Sequence, residues 1–118
     1  MDKSKNFVSA TEINYGKDGL ITAVCQHYQT DEVLMVAFMN TEALERTLST
    51  QQAWFWSRSR SELWNKGATS GNKLHVRRVS INCDNNTILM AVEPSGPTCH
   101  TGNRTCFFRT LDWSQSDE

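Results

Sequence analysis

Hydrophobic and polar residues alternate over much of this chain, with a period of two. Such alternation predicts strands, because successive side chains of a strand point to opposite faces of a sheet. The pattern predicts strands over residues 20–28, 33–38, 53–58, 73–81, 87–92 and 105–110. Turn residues at 30–32 separate the first two strands, which we expect to form a hairpin. The alternation slips at Arg77 and Arg78, which indicates a bulge in the fourth strand.

One segment has the spacing of a helix instead. Asn40 is a favourable N-cap, so a helix is predicted over residues 41–49. Its predicted buried face consists of Ala43, Leu44, Thr47 and Leu48. Together with the hairpins, this predicts an α+β fold with a mostly antiparallel β-sheet and one main helix. We expect one domain over residues 1–118, with flexible ends at 1–6 and 112–118.

Charge and hydropathy narrow the class of protein. The formal net charge of −1 argues against nucleic-acid binding driven by a global positive field. No apolar run approaches the length that spans a membrane, and the first residues are polar without an export signal. We therefore expect a cytoplasmic protein with neither nucleic-acid nor membrane partners. Thiols stay reduced in that compartment, where cysteines serve metals or catalysis.

The cysteines divide into two kinds. Cys25 lies within an apolar strand and is predicted to be core filler. The other three lie beside turn and polar residues, at Cys83, Cys99 and Cys106. Three thiolates with an open fourth position form the catalytic kind of zinc site. Their irregular spacing is unlike a zinc finger, so the ligands must come from separate elements.

Two neighbours of these cysteines are candidate functional residues. His100 follows Cys99, and histidine is the side chain type best suited to carry the proton of an attacking water. Its alternatives are a fourth zinc ligand and a hydrogen-bonding residue of the loop. Asp84 follows Cys83 and could orient the zinc site, hold a second cation or simply form a turn.

A long polar stretch between the third and fourth strands is rich in hydroxyl, glycine and basic residues. Such groups bind phosphate oxygens, although the P-loop pattern is absent and a solvated loop is the alternative. Strand tryptophans could stack on a base or pack in the core. The candidate substrate-binding residues are Trp56, Ser57, Arg58, Arg60, Lys66, Thr69, Ser70, Gly71 and Asn72.

Several of these segments, in their order and spacing, resemble one known family. They include Trp54-Phe55-Trp56-Ser57-Arg58-Ser59-Arg60, Thr69-Ser70-Gly71-Asn72, Cys83-Asp84 and Gly96-Pro97-Thr98-Cys99-His100-Thr101-Gly102. The family is phosphoribosyl-AMP cyclohydrolase of histidine biosynthesis. The resemblance covers roughly residues 15–109, and agreement of several motifs is far more specific than any single motif.

The resemblance implies a zinc-dependent hydrolase that opens the adenine ring of N1-(5-phosphoribosyl)-AMP between N1 and C6, giving the formimino-carboxamide ribotide. It implies an intertwined homodimer, in which Cys83 of one subunit joins Cys99 and Cys106 of the other to hold zinc. His100 matches the proposed general base. The two phosphates of the substrate would explain the basic and hydroxyl stretch. Some relatives carry a fused pyrophosphohydrolase domain, whose activity we do not expect here.

The chain departs from the family at two motifs. The family usually has Asp-Cys-Asp-x-Asp, whose aspartates bind magnesium. Here Asn82 and Asn86 flank Asp84 without charge, so at most a weak Mg²⁺ site is expected. Ala68 stands where the family usually has glutamate. These departures leave two alternatives open, a catalytically weakened relative that binds zinc and a nucleotide, and a structural zinc module closed by His100. A cytidine-deaminase-type site is disfavoured, because the H-x-E motif is absent.

Overall fold

Residues 6–114 are described by the computed structural model, which has an α+β architecture. A short 3₁₀ helix precedes the strands at Ala10–Glu12. The strands are β1 (Ile21–His27), β2 (Val33–Met39), β3 (Trp54–Ser57), β4 (Glu62–Asn65), β5 (Leu74–Ile81) and β6 (Thr87–Pro94). The α-helix α1 (Thr41–Thr50) connects β2 to β3. No helix within residues 6–114 is long and apolar enough to cross a membrane.

The strands form a four-stranded sheet in the order β2-β1-β6-β5 and a separate hairpin of β3 and β4. β1 pairs antiparallel with β2, which confirms the predicted hairpin, and β5 pairs antiparallel with β6. The central pair, β1 with β6, is parallel, with Val24 opposite Leu89. The predicted bulge is confirmed, since the register of β5 shifts between Val76 and Arg78.

The core lies where one face of the large sheet meets α1 and β3. Alternate residues of β1 are fully buried, and Cys25 among them is 0% exposed. Met90 of β6 and Phe55 of β3 pack into the same cluster, which α1 completes through Leu44. Burial raises the pKa of the Cys25 thiol to about 12, because a thiolate is poorly solvated in an apolar interior. The prediction that Cys25 fills the core is therefore confirmed.

The residues at the two ends of α1 explain where the helix begins and ends. The prediction of its buried face is wrong at one position. The Asn40 side chain accepts a hydrogen bond from the Ala43 backbone N–H at 2.8 Å, as expected of an N-cap. Gln51 adopts a left-handed conformation, with φ of 60°, and ends the helix. Leu48 is 51% exposed rather than buried. The core-facing side of this turn is taken by Thr47, whose hydroxyl accepts a hydrogen bond from the Trp54 N–H at 3.0 Å.

The predicted strand at 105–110 is also wrong. This segment has no regular secondary structure and meets β2 through the Cys106 N–H, which donates to the Leu34 carbonyl at 2.8 Å. Because no continuing ladder follows that bond, the apolar run stays irregular. A strand that the sequence did not predict, β4, pairs instead with β3 and sets Trp64 opposite Phe55. Of the predicted flexible ends, residues 1–5 and 115–118 lie outside the described range.

Candidate active site

A cleft of about 520 Å³ opens between two segments that are remote in sequence. One wall comes from β4 and the following loop, and the other comes from the loop after β6. Predicted site residues that line this active-site cleft are Arg60, Lys66, Thr69, Ser70, Asn72, Cys99 and His100. A second cleft of about 410 Å³, beside α1 and the N-terminal segment, contains none of the predicted site residues.

Two glycines allow the walls of the active-site cleft to approach each other. Gly67 has φ of +86°, and a Cβ there would overlap the backbone of Asn72. A Cβ at Gly96 would overlap the Asn72 side chain from the opposite wall. The Ser95 N–H and hydroxyl both donate to the Lys73 carbonyl at 2.9 Å, which fastens the two segments together. The position of Asn72 is therefore set by both walls.

Backbone hydrogen bonds fold residues 98–106 back on themselves. The Cys99 N–H donates to the Asn103 carbonyl at 3.1 Å, and the Thr98 N–H donates to the Arg104 carbonyl at 3.3 Å. This brings the Cys99 and Cys106 thiols close enough together for each to shift the pKa of the other. Two of the three predicted zinc ligands thus come together within one chain.

The two thiols have different acidities. The Thr101 hydroxyl donates to the Cys99 sulfur at 3.0 Å and lowers the pKa of that thiol, since the bond favours the thiolate. The Lys66 charge acts in the same direction more weakly. The pKa of Cys106 is raised by partial desolvation and by the neighbouring Cys99. Cys99 is therefore the thiol that ionises first, and thiolates are the form that binds metals.

Cys83 lies far from this pair. It is in the turn that joins β5 to β6, whereas Cys99 follows the opposite end of β6. β6 has eight residues, which span about 23 Å. Within residues 6–114, no group of three or more His, Cys, Asp or Glu side chains is placed to hold a metal ion. A single chain therefore presents two thiols at one place and the third at another.

The turn that carries Cys83 is closed by its own polar side chains. Asn82 Oδ1 accepts hydrogen bonds from the backbone N–H groups of Asn86, at 2.9 Å, and Thr87, at 3.0 Å. Asn82 Nδ2 donates to Asn86 Oδ1 at 2.7 Å. Asp84 is the one carboxylate among residues 82–86.

Comparison with known proteins decides the family. The family model described as phosphoribosyl-AMP cyclohydrolase matches residues 35–108. The chain belongs to this family. A phosphoribosyl-AMP cyclohydrolase of Clostridium botulinum (strain 657 / Type Ba4) is 55% identical over 85% of this chain and 92% of its own length. One of Erythrobacter litoralis is 58% identical over 83% and 78%, and one of Lactiplantibacillus plantarum is 54% identical over 83% and 91%.

This result confirms the resemblance inferred from the motifs. The matched range of the cyclohydrolase family contains every predicted site residue, from Trp56 to Cys106. Some of those residues lie outside the active-site cleft. Ser57 lines a neighbouring cleft of about 320 Å³ together with Arg60. The Arg58 guanidinium lies over the Phe38 ring at 4.1 Å, while Trp56 and Gly71 line neither cleft.

Among the residues of the active-site cleft that were not predicted from the sequence, two have polar side chains that suit contact with a ligand. Thr98 and Asn65 both line the cleft, and each has a buried side-chain oxygen without a hydrogen-bond partner among residues 6–114. Buried polar atoms are seldom left unpaired, so both oxygens are candidates for contact with a ligand bound in the active-site cleft. Thr98 could have been selected because it immediately precedes Cys99. Asn65 had no such signal, because β4 was not predicted.

Proposed function

We propose that this chain is a zinc-dependent phosphoribosyl-AMP cyclohydrolase of histidine biosynthesis, which hydrolyses the N1–C6 bond of N1-(5-phosphoribosyl)-AMP. The observation that carries this proposal is the active-site cleft, in which basic and hydroxyl residues face Cys99 and His100. The activity is the one that the names of the three relatives give. The proposed cellular location is the cytoplasm.

The donor set fits zinc. Cys99 and Cys106 lie close enough to influence each other, and the lowered pKa of Cys99 favours the thiolate that a zinc ion requires. The third ligand in this proposal is Cys83 of a second copy, because the length of β6 separates it from the pair of its own chain. When bound, zinc would lower the pKa of a water molecule at its open position toward neutrality.

A second copy would also cover apolar surface that the single chain leaves exposed. The residues after Cys106 include large apolar side chains that pack little against their own chain. The exposed fractions are 59% for Phe107, 88% for Leu111 and 75% for Trp113. Exposed apolar groups of this size favour burial in an interface. The proposed assembly is therefore an intertwined homodimer with its zinc sites shared between subunits.

The wall of the active-site cleft formed by β4 and the following loop supplies groups suited to a substrate with two phosphates. Arg60 and Lys66 provide positive charge, and the hydroxyls of Thr69 and Ser70 can donate hydrogen bonds to phosphate oxygens. Asn72, held between Gly67 and Gly96, is placed to orient the substrate rather than to attract it.

His100 is the proposed general base. It is exposed in the active-site cleft and adjoins the thiol pair through Cys99. In the reaction, His100 takes a proton from water as the oxygen adds to C6 of the adenine ring. The C6–N1 bond then breaks, N1 receives a proton, and C6 becomes the carbonyl carbon of a carboxamide. Alkylation at N1 assists the addition, because it makes C6 electron-poor.

The test is hydrolysis of phosphoribosyl-AMP, followed by the absorbance change on ring opening, with zinc-loaded and chelator-stripped protein side by side. Zinc-dependent turnover is expected. His100→Ala should retain zinc and lose turnover, whereas loss of zinc would make His100 a ligand. No turnover from zinc-loaded protein would refute the proposed activity.

One observation supports a second candidate function. Ala68 lines the active-site cleft where the family usually has glutamate, so a carboxylate is missing from this wall. A relative weakened in this way would bind zinc and the nucleotide without turnover. Substrate binding measured by calorimetry, alongside absent hydrolysis that Ala68→Glu restores, would establish that alternative.

A further inference from the structure

The turn that presents Cys83 is closed by hydrogen bonds of the Asn82 and Asn86 side chains. Each of the two amide oxygens accepts hydrogen bonds within the turn. An amide oxygen has two lone pairs. Asn82 Oδ1 uses both, on the N–H groups of Asn86 and Thr87. Asn86 Oδ1 also accepts two hydrogen bonds, from Asn82 Nδ2 at 2.7 Å and from the Thr87 hydroxyl at 3.2 Å. Both side chains are therefore engaged within the turn.

Backbone oxygens of the same turn are held by the N-terminal segment. Asn14 Nδ2 donates to the Asp84 carbonyl at 2.9 Å, and the Asn14 N–H donates to the Asn85 carbonyl at 2.7 Å. The Asp84 carboxylate is then the one anionic donor of the turn. Magnesium requires a near-octahedral set of oxygens and gives up its water reluctantly. The weak magnesium site expected from the sequence thus lacks a suitable donor set.

The orientation of the two amides shows what they do instead. Because Asn82 Oδ1 faces backbone donors, its Nδ2 must face Asn86 Oδ1. An aspartate in place of Asn82 would put a second oxygen 2.7 Å from Asn86 Oδ1. Two carboxylates at that distance repel strongly, and a divalent cation between them relieves the repulsion. The amide closes the same gap with a hydrogen bond.

We propose that the Asn82–Asn86 amide pair replaces a divalent cation as the clamp of the Cys83 turn, so that Cys83 is presented for zinc without magnesium. The part of this inference that concerns zinc rests on the proposed function. The part that concerns the turn rests on the hydrogen bonds alone.

The experiment is calorimetric titration of Mg²⁺ into the zinc-loaded full chain, without substrate. The native chain is expected to give no saturable heat, and its melting temperature should not depend on Mg²⁺. Asn82→Asp/Asn86→Asp should give one saturable site per chain, with a lower melting temperature that Mg²⁺ restores. The control Gln29→Glu/Gln51→Glu adds the same charge at exposed positions outside the turn and should give no site. If the double variant does not fold, Asn82→Asp alone should show the same response, with weaker binding.

Saturable Mg²⁺ binding by the native chain that Asp84→Asn abolishes would overturn the proposal. So would aspartate variants that fold but bind no Mg²⁺, because the amides would then not be what excludes the cation. Zinc content measured with and without Mg²⁺ should be equal in the native chain. These readouts need no substrate, so an inactive enzyme with unchanged metal results would refute the proposed activity and leave this inference standing.

Discussion

Mixing two inactive variants is the sharpest test of a zinc site shared between chains. Cys83→Ser removes the turn ligand, and Cys106→Ser removes one thiol of the pair. Each variant alone should form dimers in which both sites lack a ligand, so each should be inactive. A mixed dimer combines Cys83 from one chain with Cys99 and Cys106 from the other, and it regains one intact site of its two.

The expected magnitude follows from the geometry and the statistics of mixing. Since β6 holds Cys83 about 23 Å from the end that leads to Cys99, one chain cannot complete a site by local movement. Random reassortment of equal amounts makes about half of the dimers mixed, each with half of its sites intact. The mixture should therefore regain about one quarter of native turnover and of tightly bound zinc.

The assay is refolding or subunit exchange of the two variants together, followed by hydrolysis and zinc content. Cys99→Ser mixed with Cys106→Ser is the matched control, because both changes fall on the same side of the proposed shared site and no mixed dimer then contains an intact site. Activity that stays at the background level in verified mixed dimers would refute the shared site. Substantial zinc-dependent turnover from Cys83→Ser alone would refute it as well.

Three further changes probe the framework around the site. Phe55→Ala empties a fully buried position and should lower the free energy of unfolding by about 3–5 kcal/mol, measured by urea denaturation. Gly96→Ala should raise KM for phosphoribosyl-AMP and lower stability, because the added Cβ overlaps Asn72, and unchanged kinetics would contradict this. Arg104 donates two hydrogen bonds to Glu32 and lowers the pKa of that carboxyl, so the pair stabilises the fold above the unfolded pKa and not in acid. Glu32→Gln should therefore lower the melting temperature slightly at pH ~7 and leave it unchanged at pH ~2, well below the ordinary pKa of glutamate.

The spacing of apolar residues predicted the strands of the large sheet and α1 well, because each of these elements is long enough for its apolar face to show a clear period in the sequence. β1, β2, β5 and β6 all appear near their predicted positions, and the N-cap and the bulge are confirmed. The parallel pairing of β1 with β6 could not be predicted, since it depends on contacts between segments far apart in the chain. Such pairings leave no signal in the alternation of either strand.

The two errors in the strands have different physical causes. β4 covers only Glu62–Asn65, too few residues for alternation to stand out from the polar stretch around it. Residues 105–110 carry more apolar character, yet Phe107 is 59% exposed and no strand within residues 6–114 pairs with the segment. Apolar residues in a segment indicate that it is buried against something, but they do not show that it forms a strand. In the proposed dimer a second chain covers this segment, which the pattern of one chain cannot reveal.

The candidate site was predicted as a set of residues but not as a geometry. Motifs around Lys66, Asn72 and Cys99 meet in one cleft, as residues with a common ligand should. The separation of Cys83 from Cys99 emerges only from the sheet, because it depends on which end of β6 each of them adjoins. Asn82 shows the same limit, since the sequence records a lost charge, whereas the structure shows its amide holding the turn closed.

The departures of this chain from its family fall on one kind of group. Asn82, Asn86 and Ala68 all remove carboxylates, whereas the thiols and His100 are present. Carboxylates hold a hard cation and set the charge of the cleft, but the activation of water by zinc depends on soft ligands and a base. Loss of negative charge beside Arg60 and Lys66 also makes that wall more favourable to phosphate groups. The substitutions therefore change how a hard cation would be held and how the cleft is charged. They leave in place the groups that the proposed hydrolysis requires.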